Sequence, residues 1–581
     1  MPEEAMPDVA VIGAGPVGLT CALLLSHEGI ATIVYEQNAT TSTHPRGHVV
    51  NARSMEIFRS LGLEESILAQ SLPADRNQGV AFLRRLAEPA VAVLRTRGVT
   101  DRDAAHRAAS PSLRASCPQD RLEPILLQAA RNDPNIELRF ETEIQSVARE
   151  GDGVRLVGIG PDGAFEIAVP FVVGADGARS LVRRQAGIEM SGRGRIGRQI
   201  GIYFEADLWS LVEDRPYLLW WIYNAQTCGV LIALDGRRRW TYNFAFDEQK
   251  ETAADFTPDR CADILHEVIG VDGIDIKIHS IMPWRMQARL ADRMNAGPIF
   301  LAGDAAHPLP PTGGQGMNTG IADVQNLAWK LALVLRERAP GALLDSYDAE
   351  RRPIAKINIE QSVANALKMA ELGLSGMATA DSAMARNLDG DGRDAAEAHM
   401  RNVVPSLREH FDYPGQTFGH VYQSGAFVSD GTSAPPFSVI DYTPDGRPGH
   451  RAPHIWLERG GQPVSTIDLI GYGRFTLFTT PEFKAWHAPF MQAIDARQLR
   501  GGAWSIGASG DLDDPSEQFR ALYGLAQGGA VLVRPDGYVT FRTTDPHAEP
   551  PDIVDEALDV ALCRTPRRHP EHEAYLQKTG S

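Results

Sequence analysis

Three glycines, Gly13, Gly15 and Gly18, stand close together in the stretch VAVIGAGPVG. Their spacing suits the binding of a pyrophosphate. The first glycine permits a tight turn, the second lets backbone approach the phosphates, and the third lets a helix pack on a sheet. Pro16 lies in the same loop. The apolar stretch after it reads as a helix, whose amino end offers unpaired N–H groups and a positive dipole end. A second strand-like run, ATIVYE, closes on Glu36, where a carboxylate can accept hydrogen bonds from ribose hydroxyls. Strand, helix, second strand and terminal acid agree on a dinucleotide. They do not choose between FAD and NAD(P).

Three further stretches carry groups of the same kind. In FVVGADGARS an apolar strand runs into Asp176–Gly177 and a helix-like segment. In LAGDAAHPLPP a buried strand runs into Gly303–Asp304. In TGGQGMN, residues 312–318, small residues open a long helix. Open α/β sheets bind ligands at the carboxyl ends of their strands. Asp304 could hold a polyol hydroxyl, and the Gly313–Asn318 segment could stabilise negative charge on an isoalloxazine ring. Singly, Asp176–Gly177 could be an ordinary turn, Asp304 an N-cap, and Gly313–Gly314 a flexible loop. Their order in one chain argues for a shared site.

These groups need a scaffold. Residues 1–70 carry a first βαβ unit and a helix near Ala52–Ser60. Residues 75–115 show no strong pattern. PQDRLEPILLQAAR, residues 118–131, has helical apolar spacing, and 136–176 reads as short strands with turns. From about 190 to 285 aromatic-rich strands appear, including IGIYFEADLW, PYLLWWIYN and RRWTYNFAF. They read as an inserted antiparallel sheet. The run Tyr217–Tyr223 is either a wall of a substrate pocket or a sheet core, with Trp220 and Trp221 on opposite faces. Gly316–Arg338 reads as a long helix and a second runs through about 373. Residues 374–400 read as a mobile connection, and 410–570 as a separate α/β domain.

The length of 581 residues calls for several domains. The net charge of −17 argues against nucleic acid and anionic membrane surfaces as partners. Cys21, Cys117, Cys228, Cys261 and Cys563 lie far apart, with no CxxC and no metal-site spacing, so a reducing cytoplasm fits and no metal is expected. The acidic start, MPEEAMPD, lacks a signal-peptide pattern. No apolar stretch is long enough for a membrane helix.

The chain resembles the FAD-dependent aromatic hydroxylases, the single-component class A flavoprotein monooxygenases related to 4-hydroxybenzoate hydroxylase. The resemblance spans roughly residues 6–370 and rests on GAGPVG, CPQDRLEPIL, GADGARSLVR and GDAAHPLPPTGGQGMNTGIADVQNLAWKLALVL. The length beyond 400 resembles the phenol, chlorophenol and polyketide-tailoring hydroxylase branches. It implies an α/β fold with a Rossmann-like FAD-binding domain (residues 1–189 and 286–400, the second part with long helices). It also implies an inserted antiparallel-sheet substrate domain (190–285) and a thioredoxin-like α/β domain without redox cysteines (401–581).

The resemblance also implies roles. Gly13, Gly15, Pro16 and Gly18 would hold the FAD pyrophosphate, and Glu36 the adenosine ribose. Arg46, in HPRGH, would stand beside flavin and pyrophosphate, and Gln119 near phosphate and ribityl chain. Asp176 and Gly177 would serve FAD and NAD(P)H, and Gly303 and Asp304 the ribityl chain. The backbone of Gly316, Met317 and Asn318 would meet the flavin pyrimidine edge. Pro311 would line the reaction space, making Arg46 and Pro311 the catalytic candidates. Arg179, Arg183 and Arg184 read better as solvent or salt-bridge groups. Trp220, Trp221 and Tyr223 are candidates for the substrate wall.

The implied reaction uses NADPH or NADH, bound transiently, as reductant and O2 as co-substrate. A flavin C4a-hydroperoxide transfers a hydroxyl to a phenolic ring. The cofactor does the hard chemistry; the protein orients the ring and excludes water. A base or relay should deprotonate the phenol. Tyr203, Tyr223, His48 and His307 qualify by type only. The alternatives are a tailoring oxygenase of an aromatic polyketide or other natural product (hydroxylation, epoxidation or oxidative decarboxylation) and a flavoprotein without turnover. The expected partner is a small aromatic substrate, with a possible homodimer.

Overall fold

A computed structural model describes residues 6–545, 547 and 550–564. Expectations touching Met1–Ala5 or residues 565–581 lie outside them. The chain forms two compact units. The first takes in the chain up to Gln325, then Arg351–Gly419 and Phe437–Tyr442; the second takes in Asn326–Glu350, His420–Pro436 and the chain from Thr443 on.

In the first unit, a six-stranded sheet is ordered Asn295–Ala296, Ile299–Leu301, Phe171–Gly174, Val9–Ile12, Thr32–Tyr35 and Ile136–Arg139. Only the first pair is antiparallel. Parallel strands covered on both faces read as continuous apolar runs, and Val9–Ile12 is buried throughout. The fold is Rossmann-like, as expected. Four adjacent strands each release a chemistry-bearing segment at their carboxyl ends. Gly13 follows Ile12, Glu36 follows Tyr35, Asp176 lies two residues beyond Gly174, and Gly303 two beyond Leu301.

A seven-stranded sheet is ordered Lys277–Ala291, Met190–Glu205, Arg239–Ala245, Cys228–Ala233, Leu219–Tyr223, Gly79–Leu83 and Ala92–Arg95. Its pairs are antiparallel apart from Leu219–Tyr223 on Gly79–Leu83. Two of its strands therefore come from the 75–115 stretch, outside 190–285. Gly79–Leu83 is buried at every position, so it shows no polar alternation. Side chains along a strand alternate between faces. One face carries Ile200, Ile202, Phe204, Trp220, Trp240, Tyr242 and Phe244. The helix Pro258–Ile269 covers it with Cys261, Leu265, Val268 and Ile269. Pro258 starts this helix and Gly270, at φ 78°, ends it in the left-handed conformation. The other face, which we call the inner face, carries Gln199, Gly201, Tyr203, Trp221, Tyr223, Thr241 and Asn243 in register.

Residues 374–400 are structured rather than a mobile connection. A short segment is pinned on the inner face, where the Tyr223 hydroxyl donates to the Leu374 carbonyl at 2.9 Å and the Gln199 amide to the Gly376 carbonyl at 3.0 Å. Helices Ala383–Asp389 and Arg393–Val403 follow. Their apolar residues bury against Phe82, Trp221 and Tyr223.

The second unit holds a four-stranded sheet ordered Gly501–Ser505, Phe475–Thr479, Ala530–Val533 and Val539–Thr543. Its first pair is parallel and joined by the helix His487–Ala496. The rest is antiparallel and followed by the helix Pro550–Ala561. This order is thioredoxin-like. Cys563, half-buried, is the one cysteine beyond 400.

Candidate cofactor and substrate site

The glycine loop divides its labour as its spacing predicts. Gly13 has φ 104°, and a Cβ there would stand 2.5 Å from the Ala175 carbonyl oxygen. A Cβ on Gly18 would stand 1.9 Å from the Gly13 carbonyl oxygen. At Gly15 a Cβ would meet nothing within 4 Å. Two glycines are thus fixed by packing, and the one at the helix amino end faces open space. Pro16 is the first residue of that helix and Gly15 its cap. Glu36 closes the loop from the neighbouring strand, its carboxylate accepting from the Ala14 N–H and the Asn38 N–H, both at 2.9 Å.

Asp176 stands next to this loop. One carboxylate oxygen accepts from the N–H groups of Leu181 and Val182 at 2.7 and 3.1 Å. The other, Oδ1, is buried without a partner. Burial pushes its carboxyl up, against the opposing hydrogen bonds from Ser180, Val182 and Leu181. Asp304 is open to water but ringed by protein. Its crowded surroundings raise its carboxyl, opposed by the charges of His307 and Arg46. A Cβ on Gly316 would lie 3.9 Å from Asp304 Oδ1, so this acid borders the amino end of the Gly316–Leu335 helix.

That helix end is rigidly held. The Asn318 amide donates to the carbonyls of Val49 and Gly314 at 3.0 and 2.7 Å. Its oxygen accepts from the Asn51 N–H and the Ser54 hydroxyl at 2.9 and 2.8 Å. The Asn318 side chain is saturated, leaving only backbone to offer a ligand. The first three N–H groups of an α-helix have no partner within it. The Pro311 carbonyl accepts from the Gly314 N–H at 2.9 Å, which tightens the turn before the helix.

Behind Gly303 lies a fully buried triad. His307 Nε2 pairs with Asp323 at 2.5 Å, Arg351 donates to the other Asp323 oxygen at 2.9 Å, and the Gly303 N–H also reaches Asp323, at 3.2 Å. His307 is therefore a support of the loop, closed off from solvent. Arg46 is exposed and makes no side-chain hydrogen bond among the described residues, while its charge acts on Asp304 and Glu123. Gln119 donates to Glu123 at 2.5 Å and its N–H to the Gly47 carbonyl at 2.7 Å, which holds the Arg46 loop. The donor set fits FAD: an open glycine loop, an orphaned buried carboxylate oxygen, unpaired helix N–H groups and a free arginine.

The Arg46 loop also reaches the inner face of the seven-stranded sheet. His44 Nδ1 pairs with the Ser280 hydroxyl at 2.7 Å, and its ring stands edge-on to Tyr203 at 6.2 Å. Burial, reinforced by Arg46, pushes the His44 imidazole down to about 4. The Tyr203 hydroxyl accepts from Arg239 Nε at 2.8 Å, and Arg239 is paired in turn with Asp120. Sequence reasoning missed His44, Arg239 and Asn243. The one signal for His44 was its place two residues before Arg46.

The other candidates divide. His48 pairs with Ser116 at 3.0 Å, and burial lowers it to about 4. Trp220 is fully buried, packed at 6.1 and 5.6 Å against Trp209 and Trp240, on the face away from His44. Trp221 and Tyr223 share the inner face but lie under the 374–377 segment, against Gly376 and Leu374. Burial pushes the Tyr223 hydroxyl well up, so it is a neutral donor rather than a base.

Comparison with known proteins now adds to this geometry. A family profile described as an FAD binding domain matches residues 6–362, and an aromatic-ring hydroxylase C-terminal profile matches 445–564. Tetracenomycin A2 monooxygenase-dioxygenase of Streptomyces glaucescens is 32% identical over 97% of this chain and 98% of its own. A 2,4-dichlorophenol 6-monooxygenase of Delftia acidovorans is 32% identical over 92% and 94%. Among solved structures, the flavin-dependent monooxygenase PieE with FAD and substrate superposes with a TM-score of 0.88 at 30% identity, covering 97% of this chain and 100% of that one. Aklavinone-11 hydroxylase with FAD and aklavinone gives 0.82 at 32%, with the same coverage.

Proposed function

The chain belongs to the FAD-dependent aromatic-ring hydroxylases, and we propose that it hydroxylates a phenolic ring with NAD(P)H as electron donor and O2 as co-substrate. The observation that carries this reading is the path of one loop. His44 touches the sheet's inner face, while Arg46, two residues on, faces Asp304. A ring on that face is therefore a neighbour of the cofactor cleft.

Bound FAD supplies hydride acceptance from NAD(P)H and activation of O2. The chain's own groups do the rest. The Gly13–Gly18 loop would receive the pyrophosphate, Glu36 the ribose, and Asp304 the ribityl hydroxyls. The N–H groups of Gly316, Met317 and Asn318 would meet the pyrimidine edge and stabilise negative charge there. Arg46 adds a cation beside the same cleft. The inner face orients the ring and keeps water out. NAD(P)H supply suits the cytoplasm; no helix among the described residues is long and apolar enough to cross a membrane.

A second reading is a tailoring oxygenase of an aromatic polyketide. Its support is the likeness to aklavinone-11 hydroxylase, solved with aklavinone. One experiment addresses both. The purified protein is mixed anaerobically with NADPH, with and without monocyclic phenols and polycyclic phenolic quinones. Flavin bleaching accelerated by a phenol supports the first reading, and acceleration by polycyclic compounds alone supports the second. No bleaching under any condition sinks both.

A further inference from the structure

Gly201 lies in the middle of a long strand. It pairs with Asn243 on one side and Met282 on the other. Glycine weakens a strand interior and there often marks a close approach of a ligand or another chain segment. Nothing in the local backbone demands it, since Gly201 is not among the positive-φ glycines. A Cβ at Gly201 would stand 2.9 Å from Asn243 Oδ1 and 3.4 Å from His44 Nε2. Two polar side-chain ends thus converge over Gly201, close enough that a methyl there would push them aside.

Neither end is used by the protein. His44 bonds Ser280 through Nδ1, and among the described residues no partner reaches Nε2. The Asn243 amide has no side-chain hydrogen bond there either. In the next row, where Tyr203 pairs with Thr241, the Thr241 hydroxyl is buried without a partner. Buried polar groups are normally satisfied, and the Thr241 hydroxyl is one that is not. Beside it, two unspent side-chain ends on the face that adjoins the Arg46 loop point to a group that arrives with the ligand. The required chemistry is that of one small hydroxyl, able both to donate and to accept.

We propose that His44 Nε2 and Asn243 Oδ1 hold the phenolic hydroxyl of the substrate between them, over Gly201, with Thr241 beside it. This rests on the hydroxylase reading. The Asn243 Oδ1 can accept the phenol proton in a hydrogen bond. The neutral His44 imidazole, its Nδ1 accepting from the Ser280 hydroxyl, can then donate from Nε2 to the phenol oxygen. Tyr203, edge-on to His44, closes one side, and the Arg239–Asp120 pair fixes Tyr203 from behind.

The test compares phenols with their methyl ethers, which keep the ring and lose the donor. The holoenzyme is titrated anaerobically with 2,4-dichlorophenol against 2,4-dichloroanisole, and with 1-naphthol against 1-methoxynaphthalene. Perturbation of the flavin absorbance reads binding. Gly201→Ala pushes the two polar ends aside, and Asn243→Leu and His44→Phe remove them. Flavin content and melting temperature show which variants are folded. The expected result is a loss of phenol affinity of roughly five- to tenfold in folded variants, with a smaller loss or none for the ether. Equal losses for phenol and ether, or no loss, overturn the clamp and leave the hydroxylase reading standing. If neither phenol perturbs the wild-type flavin, the clamp and the reading behind it both fall.

Discussion

His307 and Asp323 form a fully buried pair, Nε2 to carboxylate at 2.5 Å, and the same carboxylate also takes the Gly303 N–H and Arg351. Through this pair a helix carboxylate fixes the turn that presents Asp304. Burial alone would raise Asp323, but His307 and Arg351 outweigh it and hold it below the usual carboxylate range. Replacing it strands the buried Arg351 guanidinium and the buried His307 imidazole. Asp323→Ala should cost about 3–5 kcal/mol of stability and release FAD. Thermal unfolding and the flavin-to-protein absorbance ratio check this, and unchanged values for both would refute the support role.

The glycine loop makes a paired prediction. In Gly18→Ala the new methyl would sit 1.9 Å from the Gly13 carbonyl oxygen, so the helix must move off the sheet. Gly15→Ala meets no protein atom within 4 Å. The first variant should be poorly folded. The second should melt near the wild type but bind FAD at least tenfold more weakly, roughly the cost of one displaced phosphate contact. Equal flavin retention in Gly15→Ala would remove the phosphate from this loop.

Much of this site was legible because its determinants are local. Gly13, Gly15 and Gly18 announce a turn by spacing alone, and Asp176 and Asp304 each end a buried run. The inner face was not legible. Gly79–Leu83 joins the sheet as an interior strand buried on both faces, so it carries no alternation to read. Asn243 comes beside Gly201, where His44 also points, only because strands 190–205 and 239–245 pair in one register. That pairing is long-range. In the run Tyr217–Tyr223 the alternation of faces was readable, yet which face adjoined the cofactor cleft depended on the distant His44 loop.

Tyr223 tests how tightly the 374–377 segment must be held. Its buried hydroxyl donates to the Leu374 carbonyl at 2.9 Å. Tyr223→Phe removes that bond and little volume. It should cost about 1 kcal/mol, seen as a small fall in melting temperature. If the segment seals the inner face, the variant should also divert more NADPH oxidation to hydrogen peroxide, measured by catalase-dependent oxygen return. A stable variant with unchanged peroxide yield would make the segment packing alone.

The second unit should carry its own acid sensitivity, centred on Glu350. This fully buried carboxylate receives Arg534 twice, at 2.7 and 2.6 Å, Lys330 and Asn326 at 2.7 Å each, and the Ala426 N–H at 2.8 Å. Burial would raise it, but Arg534 and Lys330 dominate and hold it far below the ordinary value of 4.5. A depressed carboxylate contributes stability that is fully present above its unfolded value and lost as pH falls toward the folded one. Unfolding free energy should therefore be level in this respect above about pH 5 and decline below about pH 4.5. Glu350→Gln leaves Lys330 and Arg534 with a buried charge deficit. It should cost about 3–5 kcal/mol near neutrality and flatten the acid decline. Denaturant unfolding of both proteins between pH 4 and 7 measures it. An acid decline of equal slope in the variant would assign the effect to other carboxylates.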